Sequence, residues 1–280
     1  MNLSDALSQL GKSLKSIAKV ILLSRRATLR PEDRAGRPII VMGNGPSLNQ
    51  TIDEHSDILT SNDTMAVNFA GISPQFFELK PRYYILVDPF FFTGESDNLT
   101  RLHRALSSVD WTMTLIVPVK AVSSLPAAVS QNSYIEVRTI NTTGVEGWKW
   151  LKNMMFGRGL GMPRPRNVLI PAIMSAVRLG YNTIHIVGAD HSWMKTLDVD
   201  NENRVISVQP HFYKDNAKEQ KRVNSEYEGY RLHQIILSFY VAFKSYHEIQ
   251  DYASTHNVTI LNSTPESFID AFPRRPLPGA

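Results

Sequence analysis

Apolar residues fall into two kinds of pattern along the 280-residue chain. The first is helical. Leu3, Leu7, Leu10, Leu14, Ile17 and Ile21 recur every three or four positions and predict an amphipathic N-terminal helix. The second is a series of short, nearly continuous apolar runs at 38–42, 64–71, 82–89, 111–119, 182–190 and 257–262. Runs of that length, with few polar interruptions, predict strands buried on both faces. Between them, periodic stretches predict helices at 47–59, 98–108, 168–181 and 224–256. Alternation of this sort predicts an α/β fold: a Rossmann-like, mostly parallel sheet covered by helices. Residues 1–37 read as a basic helix and linker, and 38–280 as one α/β domain. Two segments interrupt the alternation and are expected to act as lids: 144–166, rich in glycine, proline and arginine, and 193–215, irregular or hairpin-like.

Composition narrows the class. Hydrophobic residues make up 42% of the chain and charged residues 20%, as in a folded protein, not a disordered one. No apolar run approaches the roughly 20 residues that span a bilayer. The opening residues lack the layout of a secretory signal, so a cytoplasmic location is expected. With no cysteine, disulfides, thiolate catalysis and cysteine-built zinc sites are excluded. A balance of 30 Lys/Arg against 26 Asp/Glu gives no reason to expect a nucleic-acid partner. Much of the positive charge accompanies the first helix, at Lys12, Lys15, Lys19, Arg25, Arg26 and Arg30. Two readings of that helix stay open: packing on the body or on a second subunit of a homo-oligomer, or a peripheral contact with the anionic inner face of the membrane.

In a doubly wound sheet the ligand sits beyond the carboxyl ends of the strands. Polar residues fall at those ends: Gly43, Asn44, Gly45 and Ser47, then Asn68, Asp88, Gly188, Asp190 with His191, and Asn262 with Ser263. In Gly43–Leu48 the glycines allow close approach of a backbone, and a helix starting near Ser47 would present free N–H groups to an anion. The stretch is neither a Walker loop nor a full dinucleotide fingerprint, since Leu48 stands where the third glycine belongs. Asp198-Val199-Asp200 matches the metal-holding Asp-x-Asp of many glycosyltransferases, but Asn201, Glu202 and Asn203 follow directly, which suits an exposed turn. His211 is a candidate general base, with Tyr213 and Lys214 placed to stabilise a departing phosphate. Asp190 with His191 is a second acid–histidine candidate. No tight metal-ligand spacing is present.

With GNGPSL at 43–48, Asn68, YYILVDPFFF at 83–92, SAVRLGYNTIHIVGADHSW at 175–193 and PHFY at 210–213 in that order, the chain resembles a known group. It is similar to the bacterial sialyltransferases of glycosyltransferase family 42 and to proteins with the related family-115 domain of unknown function. The latter include archaeal pterin diphosphokinase-like proteins and sugar-adding flagellar accessory proteins. The resemblance covers residues 38 to about 270. It implies that Asn44, Gly45, Ser47 and Asn68 hold a cytidine nucleotide, with Asn262 and Ser263 lining its pocket; Gly43, Asp88 and Gly188 are expected in the same cleft from their places at strand ends. It further implies that His211 is the base, that Tyr213 meets the leaving phosphate, and that no divalent metal is needed. The implied reaction is inverting transfer of a nonulosonic acid from a CMP-linked donor to a hydroxyl of a surface glycan or lipopolysaccharide. Two departures stand out. Asp88-Pro89 replaces the sialyltransferases' Asn-Pro, and His191-Ser192-Trp193 replaces their aromatic pair after the Gly-x-Asp strand. Both fit a different donor or a divalent ion at Asp88 or Asp190. A magnesium-dependent diphosphokinase acting on a pterin-like alcohol with ATP, or a nucleotide-binding scaffold without turnover, are the alternatives.

Overall fold

The computed structural model describes residues 3–34, 36–207 and 229–278. Seven parallel strands form one sheet: β1 (Pro38–Met42), β2 (Asp63–Val67), β3 (Tyr83–Ile85), β4 (Met113–Pro118), β5 (Ile135–Ile140), β6 (Thr183–Val187) and, last in sequence, Thr259–Asn262. A hairpin of two short strands, β7 (Leu197–Val199) and β8 (Val205–Ser207), lies between β6 and that last strand, which is therefore β9. The spatial order is β5-β4-β3-β2-β1-β6-β9. The chain thus winds outward from β1 to β5, then returns to lay β6 against the other edge of β1. That reversal makes the β1/β6 crevice the switch point of the fold. The expected α/β, Rossmann-like architecture is the one observed.

Alternate residues along β1 explain the two layers. Ile39 and Val41 enter one core, Ile40 and Met42 the other, and all four are at most 4% exposed. The first core is closed by α7 (Lys149–Gly157), α8 (Leu169–Leu179) and the long α9 (Leu232–Ser254), through Met155, Ile173, Tyr246 and Ile249. The second is closed by α2 (Ser47–Ser61), α3 (Gln75–Leu79) and α5 (Asp97–Ser107), through Ile52, Phe76 and Leu102. Short helices α4 (Phe90–Thr93) and α6 (Ala127–Ser130) complete the connections.

The N-terminal helix α1 (Leu3–Leu23) docks by an unusual face. Its buried residues are Ser13 and Ser16, whose hydroxyls bond the backbone at 146–148, while its leucines point to water. Residues 24–29 then run along the edge of β5, with Leu29 N–H donating to Thr139 O at 3.0 Å.

Three elements differ from the sequence expectations. β5 has no counterpart among the expected strands, because Glu136 and Arg138 break its apolar run: it is an edge strand with one half-exposed face. The run at 64–71 stops being a strand at Val67, and Asn68–Ile72 forms a 3₁₀ turn. Within 144–166, α7 sends Leu151, Met155 and Phe156 into the core. Among the described residues, no helix is long and apolar enough to cross a membrane.

Candidate functional site

A cavity of about 480 Å³ opens beyond the carboxyl ends of β1, β2 and β6. Its size is that of a small-molecule pocket. Six residues expected at strand ends meet there: Asn44, Gly45, Asn68, Asp88, Asp190 and His191. Gly43, in the loop after β1, Gly188, in the loop after β6, and Ser47, which begins α2, lie outside the lining.

Those loops touch each other, and this is what requires their glycines. Gly43 N–H donates to Val187 O and Gly45 N–H to Gly188 O, both at 2.8 Å. A Cβ on Gly188, whose φ is +63°, would lie 2.5 Å from Gly43 O, and one on Gly45 would lie 2.7 Å from Gly188 O. The glycines expected to admit a ligand backbone-close instead let the β1 and β6 loops cross.

Asp190 reaches from the β6 loop to the start of α2. Its carboxylate accepts from Ser47 Oγ at 2.8 Å and from Ser47 N at 3.3 Å. A negative charge at a helix N-terminus is stabilised by the orphan N–H groups and the helix dipole. The anion expected at this place is thus supplied by the protein's own side chain.

Two buried acceptors on residues that line the cavity are unspent. Asn44 Nδ2 donates to Val67 O at 3.2 Å, which fixes the amide's orientation and leaves Oδ1 buried without a partner. Asn68 Oδ1 is likewise buried and unpartnered. Asn68 also has φ +51°, a left-handed conformation that costs a non-glycine residue free energy, and its carbonyl accepts from Tyr84 Oη. Leaving a buried acceptor unpaired costs about 1–3 kcal/mol. Two such groups and one strained backbone at one cavity point to a ligand that donates hydrogen bonds.

The opposite wall is a polar relay. Tyr246 Oη donates to Asn167 Oδ1 at 2.9 Å and lies 2.6 Å from His191 Nε2. Asn167 Oδ1 also accepts from the N–H groups of Leu169 and Ile170, at 3.0 and 3.3 Å, and so caps α8. Asn167 Nδ2 also stands 3.5 Å from His191 Nε2, so the tyrosine hydroxyl and the asparagine amide converge on the same ring nitrogen. Burial pushes the His191 imidazole down to about 3, so the ring is neutral. It packs on Trp193, ring centroids 4.1 Å apart. Arg166 stands exposed at the cavity's rim.

The remaining expected residues lie elsewhere. Asn262 spends its side chain on Ile269 O and Thr264 N, and Ser263 Oγ bonds His185 Nδ1 at 2.9 Å. Both line a separate groove with His55 and Arg275, not the strand-end cavity. Asp88 is exposed, and its Oδ1 accepts from Phe90 N–H to start α4. Asp198 and Asp200 sit in the β7–β8 hairpin, where Asp200 accepts from the N–H groups of Glu202 and Arg204 and pairs with the Arg204 guanidinium. They close a turn, as their neighbours suggested. His211, Tyr213 and Lys214 lie outside the described residues. Among the described residues no three histidine or carboxylate side chains converge as a metal-ligand set.

Asn167 and Tyr246 were not singled out from sequence. An asparagine just before an apolar helical run is a recognisable cap signal, and it was there to be read. Tyr246 carries no such sign, being one aromatic among many on a long helix.

No family model and no curated protein matches the chain. Among solved structures, the MAf glycosyltransferase from Magnetospirillum magneticum AMB-1 matches at a TM-score of 0.50 and 10% identity, over 98% of this chain. This chain spans 39% of that protein's length. The likeness is one of fold: it agrees with the parallel, Rossmann-like α/β architecture and singles out neither of the two families that the motifs resemble.

Proposed function

We propose that the protein is a glycosyltransferase that takes a nucleotide-activated sugar, most simply a CMP-linked nonulosonic acid, in the β1/β2/β6 cavity. The observation that carries the reading is the pair of unspent, buried acceptors, Asn44 Oδ1 and Asn68 Oδ1, on two residues that line that cavity. A nucleoside offers matching donors in its ribose hydroxyls and exocyclic amine. With Asp190 already at the α2 N-terminus, the donor's phosphate is directed to Arg166 on the far rim.

In this reading the reaction is one inverting displacement. An acceptor hydroxyl on a glycan or lipopolysaccharide gives its proton to His211, and its oxygen bonds the anomeric carbon. The bond from that carbon to the phosphate oxygen breaks at the same time, and the nucleotide leaves with the electron pair. Tyr213 and Arg166 stabilise the charge on the departing phosphate. His191, neutral and held by Tyr246, supplies an uncharged polar wall. No metal has a part in it.

Calorimetric titration with CMP, CDP, UDP, GDP and ATP, each with and without magnesium, tests this. Metal-independent CMP binding is the expected result. A response to ATP that requires magnesium would overturn it in favour of a diphosphokinase, and a preference for UDP or GDP would keep the transferase but change the donor.

A further inference from the structure

Helix α1 is built inside out. A helix packed on a protein body normally buries its apolar stripe and exposes its polar face. Here Ser13 and Ser16 are 1% and 2% exposed, whereas Leu3, Leu7, Leu14 and Ile21 are 77%, 59%, 58% and 72% exposed. The serines hold the helix by hydrogen bonds to Glu146 and Trp148, so its attachment does not depend on the leucines. The leucine face is left for something else.

The spacing of that face says what covers it. Leu3, Leu7, Leu10, Leu14, Ile17 and Ile21 alternate steps of four and three without exception. At 3.6 residues per turn they fall within an arc of about 80°, narrower than the core-facing stripe of a globular helix and matching a two-helix seam. The stripe runs nearly the full 21 residues of α1, about 31 Å at 1.5 Å per residue. Along its open border lie Ser4, Gly11 and Ala18, seven residues apart. Gly11 is the telling one. A mid-helix glycine costs about 1 kcal/mol relative to alanine, and nothing in the protein lies within 4 Å of where its Cβ would be. The body does not require it, and the missing side chain leaves room for a neighbouring helix at close range.

Charge decides between a protein and a lipid surface. Lys12, Lys15 and Lys19 lie roughly 120–180° round the helix from the stripe. With the leucines pressed into a bilayer those lysines would point away from the headgroups. Against a second α1 they stay in water, and no charge flanks the seam to oppose a like chain. We infer that the exposed face of α1 is a self-association surface that pairs with α1 of a second copy of this chain about a two-fold axis.

Sedimentation velocity on the full chain tests this, with and without vesicles of phosphatidylcholine and phosphatidylserine. The expected species has the mass of two chains, and Leu7→Glu with Leu14→Glu converts it to one chain with unchanged circular dichroism, since both side chains already face water within a single copy. Because the chain has no cysteine, a single introduced thiol reports the contact directly. Gly11→Cys, near the midpoint of the stripe, crosslinks to a dimer on oxidation, and Lys12→Cys on the far face does not. A wild-type monomer at tens of micromolar, or a dimer that survives both glutamates, overturns the inference. Monomers that pellet with the vesicles overturn it in favour of a lipid surface.

Discussion

At the scale of single residues, Asn68 joins two costs, a left-handed backbone and a buried acceptor without a partner. They separate on substitution. Asn68→Gly relieves the backbone and removes the acceptor, so the protein keeps or gains thermal stability while nucleotide affinity falls by roughly 5- to 150-fold, the equivalent of about 1–3 kcal/mol. Asn68→Ala loses affinity to the same extent and melts earlier as well. Paired melting and calorimetry on the two variants check this; equal affinity in wild type and both variants would remove Asn68 from the site. His191 makes a second prediction. Its folded value of about 3 lies below the ordinary 6.5, so the unfolded chain binds more protons between those limits. The stability contributed by keeping the ring neutral is therefore complete above pH 6.5 and is lost as pH falls toward 3. Urea midpoints should drop from pH 7 to pH 5 in the wild type and drop less in His191→Gln, whose amide keeps a hydrogen-bonding partner for Tyr246. A profile as steep in the variant would assign the acid sensitivity to other groups.

At the scale of elements, the site is made by loops that hold one another. The start of α2 belongs to the β1 loop, yet its counter-anion, Asp190, belongs to the β6 loop. Removing that carboxylate with Asp190→Ala should cost about 1 kcal/mol, the ordinary worth of a cap. It should also make the melting temperature rise with added phosphate, which the wild type should not show, because an emptied helix N-terminus accepts an anion. Thermal scans across a phosphate series check both halves. The same interlocking explains how far the site was legible in sequence. Asn44, Asn68 and Asp190 were readable because each ends a buried apolar strand, and parallel sheets gather such ends. What Asp190 and the glycines do there was not readable, since it depends on two loops that are neighbours only in space. Tyr246 and Asn167 are hidden for the same reason: their contact joins positions 79 residues apart. Asn262 and Ser263 show the converse. They too end a strand, but β9 is at the margin of the sheet, one place beyond the crevice, and its end turns into a different groove.

At the scale of the whole molecule, the two-sided burial that keeps β1, β2, β4 and β6 largely apolar also made the architecture legible, whereas β5, half open to water at the edge, carries Glu136 and Arg138 and was not legible as a strand. The order in which the chain is made sets a further condition. β1 pairs with β2 in front of it at once, but its other edge waits for β6, with Ile39 meeting Ile184. Throughout synthesis of the intervening segment, a strand destined for the interior of the sheet has one edge unpaired, with apolar side chains on both of its faces. An open edge of that kind recruits other strands, and long-range parallel pairing is slow to close it. The nascent chain is therefore most exposed to misassembly while α2 to α8 are emerging, and the site loops, which need both β1 and β6, take shape only after that window has passed.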